Sequence, residues 1–142
     1  MNLLRAMIAP LARGKRFFAK VAISGSHRQS LQMIAAGSAD LAAIDCVTWA
    51  LLHRIEPALV ATTRVLAWSA PSPGLLITSA HTDLLTLAAL RAVLDEIAND
   101  AALSHLRAEL LLSGFKVLPH EDYGRVRSFE ADAIALGYPQ LA

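Results

Sequence analysis

FFAKVAISGSHRQSLQMIAAGSADLAAID, residues 17–45, holds two short apolar runs separated by a polar turn and a helix-patterned segment. Phe17 to Ser24 is nearly continuous in apolar, β-prone residues apart from Lys20, which suits a buried strand. Ser24-Gly25-Ser26-His27 then reads as a turn, and Arg28 to Ala36 places Leu31, Ile34 and Ala35 on one helical face. Ser26 followed three residues later by Gln29 is the capping-box spacing, and Gly37 is the expected C-terminal stop. Ala39 to Ile44 reads as a second strand with Asp45 at its carboxyl end. CVTWALLHR, from Cys46, follows as a helix that can turn Val47, Leu51 and Leu52 inward, with Pro57 beyond its end. Strand, helix, strand, helix with short connections implies an α/β fold with a parallel sheet, because parallel neighbours need crossovers. In such sheets ligands bind outside the carboxyl ends of the strands, where both Ser24–His27 and Asp45 lie.

Outward from this stretch, residues 3–12 have helical spacing and no N-cap, and Gly14 ends them. Thr62 to Ser69 reads as a further strand, APSPG as a hinge, and Leu75 to Thr78 as extended chain. From Asp83 the pattern is helical, with Leu84, Leu87, Leu90, Leu94 and Ile97 in one stripe and Thr82 or Asp83 as cap. Asp100 starts another helix through Leu112 that Gly114 stops. FKVL and Pro119 lead to a last helix from Glu121 to Leu136, closed by Gly137.

At 142 residues the chain has room for one domain with a core. Its 55% apolar content exceeds the usual share, which suits surface hidden against a partner. The longest apolar runs fall short of the roughly 18–20 residues that span a bilayer, so no membrane span is expected. Arg5 sits inside the apolar opening and the basic cluster follows it, the reverse of an export signal. The single cysteine, Cys46, leaves no intrachain disulfide. Net charge is only +1, yet Arg5, Arg13, Lys15, Arg16, Lys20 and Arg28 all precede the first acidic residue, Asp40. That polarity suits an anionic ligand, or a solvated basic face. Nucleic acid would need aromatics interleaved with the cations, and only Lys15 to Phe18 has any, so no nucleic-acid partner is expected.

The turn at Ser24–His27 can bind an anion: helix N-termini present unpaired N–H groups, Gly25 allows close approach, and Ser24, Ser26, Ser30 and His27 add donors. An ordinary capped helix with a solvated His27 fits the same residues. Asp45 can accept a hydrogen bond from a protonated oxyanion, pair with a ligand amine, or simply cap the Cys46 helix. A serine hydrolase would use Ser26 or Ser24 with His27 and Asp45, but G-x-S-x-G is absent and adjacent serine and histidine side chains rarely point at one another. His27, His53, His81, His105 and His120 show no paired metal-ligand spacing, and no nucleotide-binding glycine motif occurs, so neither metal nor cofactor is expected.

S-G-S-H-x-x-S followed by G-x-A-D-x-A-A-I-D, inside FFAKVAISGSHRQSLQMIAAGSADLAAIDCVTWALL, resembles the phosphate/phosphite/phosphonate-binding proteins of ABC transporters, which have the type II periplasmic binding protein fold. TRVLAWSAPSPGLLITS resembles their crossing between lobes, and LLLSGFKVLPHEDYGRV with ALGYP their C-terminal end. The resemblance covers most of the chain and implies binding without chemistry, two lobes closing on a tetrahedral oxyanion. By position it makes Ser24, Ser26, His27 and Ser30 the anion-contacting turn and Asp45 the strand-end acid. It also implies a permease partner, a periplasmic location (with a cytoplasmic one as the alternative, since no clear export signal is read), a second lobe over residues 1–66, a crossing at 67–75, and a helical C-terminal part of the first lobe over 76–142. The chain starts where the family is already inside its second lobe, and PGLLITS is one residue shorter than the family's P-G-L-P pattern. An incomplete first lobe is therefore expected, with either a truncated, non-binding interaction fragment or pairing with a second copy or a missing-lobe partner as the consequence. The alternative of another class is a small serine hydrolase or acyl-transfer enzyme using Ser26 and His27.

Overall fold

In the computed structural model, residues 2–69 and 76–141 are described. Their regular structure is helical: α1 (Asn2–Ala12), α2 (His27–Ala35), α3 (Cys46–Ile55), α4 (Pro57–Val60), α5 (Leu84–Asn99), α6 (Ser104–Glu109) and α7 (His120–Ala135), with a 3-10 turn at Ala101–Leu103. The chain divides into two units, Met1–Ser72 with Pro119–Ala142, and Pro73–Leu118.

The first unit is built on two apolar clusters. In one, α1 packs on α7 through Ile8, Ala9, Ala12, Ala133 and Tyr138, flanked by Leu4, Phe18 and Leu141. Alanines at the contact let the two helix backbones approach closely, and Ala133 is 0% exposed. A β-carbon on Gly137 would lie 3.5 Å from the Gly14 Cα, so the chain following α7 runs tight against the end of α1. The Tyr138 hydroxyl donates to the Leu141 carbonyl at 2.7 Å, and Arg5 bridges to Glu130 at 2.8 Å and donates to the Pro139 carbonyl. Gly137, at φ 75°, ends α7 with paired bonds from Gly137 N–H to Ile134 and from Tyr138 N–H to Ala133, the left-handed C-cap that glycine permits.

The other cluster joins α2, α3 and α4 through Leu31, Leu52 and Val60, flanked by Ile44, Trp49 and Leu59. Leu31 is 1% exposed. The Arg28 guanidinium grips the Glu56 carboxylate with two bonds of 2.7 Å, tying the start of α2 to the start of α4. In the second unit, Asp83 caps α5 by accepting the Thr86 N–H at 2.9 Å, and Arg107 donates to the carbonyls of Ile97 and Asp100 at 2.7 Å, satisfying the end of α5. α6 stops at Glu109, three residues before the expected Leu112. Leu111 takes a left-handed φ of 58° and the Leu112 N–H returns to the Arg107 carbonyl, a C-cap built on leucine where glycine is usual.

The α/β fold is not what forms. Among the described residues there is no strand and no sheet, so the parallel-sheet lobe of the periplasmic-binding type is corrected to an all-helical arrangement. The segments with strand patterning, 17–24, 39–44 and 62–69, are irregular chain here. A helix closes its hydrogen bonds within its own segment, whereas a strand needs a distant neighbour, and β-propensity measures fit to that neighbour more than a backbone preference. Without ladder partners the strand-patterned side chains stay solvent-facing: Ile23 is 98% and Trp68 66% exposed. The chain at these points bonds locally, Thr62 N–H to Leu59, Thr63 N–H to Val60 and Ala39 N–H to Met33. Residues 70–75, most of the expected 67–75 crossing, lie outside the described residues.

The close α1–α7 contact makes a size prediction. Ala133→Leu overpacks a site with no free volume and should cost about 1–3 kcal/mol, while Ala131→Leu, on exposed α7 surface, should change stability by about 0.5 kcal/mol or less. Urea midpoints followed by helical circular dichroism check both.

Candidate anion-binding site

The site is assembled from the start of α2 outward. Gly25 has φ 89°, a left-handed conformation that brings the chain sharply into the helix, and a β-carbon there would stand 2.8 Å from the Gln29 Oε1. Ser26, extended at φ −153° and ψ 160°, is the N-cap: its Oγ accepts the Gln29 N–H at 3.1 Å. The reciprocal half of the expected capping box takes another form. Gln29 turns its amide oxygen toward the Ser26 hydroxyl, 3.3 Å away, instead of reaching the Ser26 N–H.

The Ser26 carbonyl is the polar centre of the turn. It accepts the Ser30 N–H at 3.0 Å, the Ser24 hydroxyl at 3.1 Å and the Ser30 hydroxyl at 3.2 Å, and the two hydroxyls lie 2.7 Å apart. Ser24 and Ser30 are half-buried, and these contacts occupy both of their hydroxyl protons. The N–H groups of Gln29 and Ser30 are likewise engaged. Those of His27 and Arg28, at the head of α2, have no acceptor among the described residues and are the turn's free donors, together with the exposed His27 imidazole. The Arg28 guanidinium is held by Glu56.

Asp45 caps α3, accepting the Thr48 N–H at 2.7 Å. Its carboxyl is held below the ordinary carboxylate range, first by that N–H; partial burial opposes this, and the Thr48 hydroxyl, the charge of His27 and the Val47 N–H add smaller effects in the lowering direction. His27 and Asp45 are thus within electrostatic reach of one another across the N-termini of α2 and α3. Among the predicted residues, Ser24, Ser26 and Ser30 are joined by hydrogen bonds, His27 follows Ser26 in the same turn with its donors free among the described residues, and Asp45 is linked to the turn only by the charge of His27. A concavity of about 350 Å³ runs beside α2, lined by Ser24, Gln29, Gln32 and Met33 among others, and shares only Ser24 with the predicted set.

Ser26 Oγ is bonded to Gln29, with no bond to His27 among the described residues, so nothing draws off its proton as a nucleophile would require. The Arg28–Glu56 fork was not foreseen, since 28 residues separate the partners and no local pattern marks them. Gln29, marked by the sequence as a cap partner, also lines the concavity.

Residues 4–123 match the family model described as ABC transporter, phosphonate, periplasmic substrate-binding protein. Searches of curated proteins and of solved structures found no match.

The lowered Asp45 carboxyl links stability to pH. The fold favours the ionised form, so its contribution is present above the unfolded value of 3.8 and is lost as pH falls through the lower folded value. Asp45→Asn keeps a capping acceptor and removes the charge. Wild type should therefore lose more stability than the Asn variant between about pH 5 and about pH 3, measured as urea midpoints at each pH.

Proposed function

The chain belongs to the ABC-transporter phosphonate periplasmic substrate-binding protein family, and from that premise we propose that it binds a phosphonate, phosphate or phosphite oxyanion at the start of α2. The observation that supports this reading is the Ser24–Ser30 turn: two first-turn N–H groups with no acceptor among the described residues and an exposed imidazole belong to it, at the positive end of a helix dipole. Ser24, Ser26, His27 and Ser30 are read as the anion contacts. Ser24 and Ser30 serve first by fixing the Ser26 carbonyl away from the incoming oxygens. Release of either hydroxyl from the Ser26 carbonyl would let its proton turn to the ligand.

Asp45 sets the protonation state of that ligand. It is ionised at neutral pH, and a fully deprotonated anion beside it would be repelled. A ligand carrying its own acidic hydrogen, such as a monoprotonated oxyanion, or an ammonium group, as in an aminophosphonate, turns the repulsion into a hydrogen bond or an ion pair. The role that follows is capture and release without chemistry, delivering the oxyanion to an ABC-transporter permease at the periplasmic face. A second reading as an acyl-transfer enzyme finds no support in the Ser26 geometry.

Ser26→Asp separates binding from capping. Aspartate is as good an N-cap as serine and its charge suits the helix dipole, so α2 should persist. Its carboxylate would stand where the anion is bound. Calorimetric titration with phosphate, phosphite and 2-aminoethylphosphonate should show saturable binding to wild type, weakened about 30-fold or more in the variant, the loss of one charge-assisted hydrogen bond. Unchanged binding in Ser26→Asp would remove the turn from the site, and turnover of an activated ester that Ser26→Ala abolishes would establish the enzyme instead.

A further inference from the structure

The basic chain that follows α1 takes no part in the oxyanion site. Of the six cations that precede the first carboxylate, Arg5 is spent on Glu130 and Arg28 on Glu56. Arg13, Lys15, Arg16 and Lys20 are all exposed, and none pairs with a carboxylate among the described residues. The Nε of Arg16 donates to the Phe18 carbonyl at 2.9 Å, which holds that side chain along the turn. Lys15 and Arg16 line a concavity of about 250 Å³ together with Tyr138, Pro139 and Gln140, large enough for a phosphate group.

Apolar side chains stand among these charges. Leu11 is 63% and Phe17 44% exposed, while Phe18, edge-on to Phe17 with ring centroids 5.0 Å apart, is turned into the α1–α7 cluster. This combination discriminates between partners. A second copy presenting the same face would bring four cations against four, so self-association there is opposed by charge. A single exposed ring offers no succession of stacking platforms for nucleic-acid bases. An acidic protein would answer the charges and leave the apolar tips uncovered. An anionic bilayer answers both, with lipid phosphates meeting the cations and the apolar tips entering the interfacial zone.

We propose that the turn from Arg13 to Lys20 docks this protein on an anionic bilayer surface, with Arg13, Lys15, Arg16 and Lys20 on lipid phosphates and Phe17 and Leu11 in the interface. The docking is independent of oxyanion binding, since it uses none of the residues from Ser24 to Asp45.

Co-sedimentation of the full chain with vesicles tests it. Vesicles of mixed phosphatidylglycerol and phosphatidylcholine should retain the protein, retention should fall as salt rises, and pure phosphatidylcholine should retain little. Lys15→Gln with Lys20→Gln should lower partitioning about 25-fold, about 5-fold per charge removed, with the helical spectrum and the oxyanion titration unchanged. Phe17→Ser should weaken retention and leave its salt dependence as in wild type. Equal retention by both vesicle types, none by either, or a double glutamine variant that binds like wild type would overturn the proposal. Binding to soluble polyglutamate without binding to vesicles would overturn it in favour of an acidic protein.

Discussion

Short polar side chains that accept a backbone N–H at a helix start hold this structure's local order: Ser26 for α2, Asp45 for α3, Asp83 for α5 and Asp100 for the 3-10 turn. Each satisfies a donor that the helix cannot satisfy itself, and each fixes where the chain leaves irregular structure. Much of the rest follows from those starting points. Leu31 reaches its cluster because α2 begins at His27, and Leu52 meets it because α3 begins at Cys46. The same caps place the two helix N-termini, with His27 and Asp45, within electrostatic reach of each other. Capping and anion binding use one property, a surplus of N–H donors, so the residues that stabilise the helix decide which donors remain for a ligand.

That economy explains which features were legible in the sequence. Ser26, Asp45 and Asp83 could be named as caps, and Gly37 and Gly137 as stops, because caps and C-terminal glycines act through neighbours three to five residues away. The Ser24–Ser30 turn was legible for the same reason. The coupling of His27 to Asp45 crosses 18 positions and the Arg28–Glu56 fork 28, and only the packing of α2, α3 and α4 reveals them. The end of α6 was misplaced because a left-handed leucine at position 111 carries no signature that distinguishes it from a helical one.

The strands failed for a different reason. FFAKVAIS, ADLAAI and TTRVLAWS have the patterning of buried strands, and such patterning is a statement about an environment that the chain must find elsewhere. Here the pattern and the outcome diverge: side chains suited to a sheet interior, Val21, Ile23, Val65, Leu66 and Trp68, remain exposed between helices. A chain with 55% apolar residues then buries few of them: among the described residues the buried apolar side chains fall in two small clusters. The second unit has no buried residue on α5, and its order rests on caps and on the Arg107 clasp.

The polarity of charge along the chain resolves into two different kinds of positive potential. At the start of α2 the arginine is neutralised by Glu56, so in the proposed site the attraction for an anion would come from N–H groups, the helix dipole and an imidazole. Donors of this kind act only at hydrogen-bonding distance and in fixed directions, and with an ionised Asp45 nearby such a site would discriminate among anions by shape and protonation state. Around Arg13 to Lys20 the charges are formal and exposed, and such charges attract any dense array of negative charge over roughly a Debye length without reading its geometry. A selective site needs the first arrangement and would lose selectivity with the second placed inside it. With Arg28 paired to Glu56, and Arg13, Lys15, Arg16 and Lys20 without a carboxylate partner among the described residues, the two proposed roles, recognition of a small oxyanion and attraction to an extended anionic surface, would draw on separate parts of the chain.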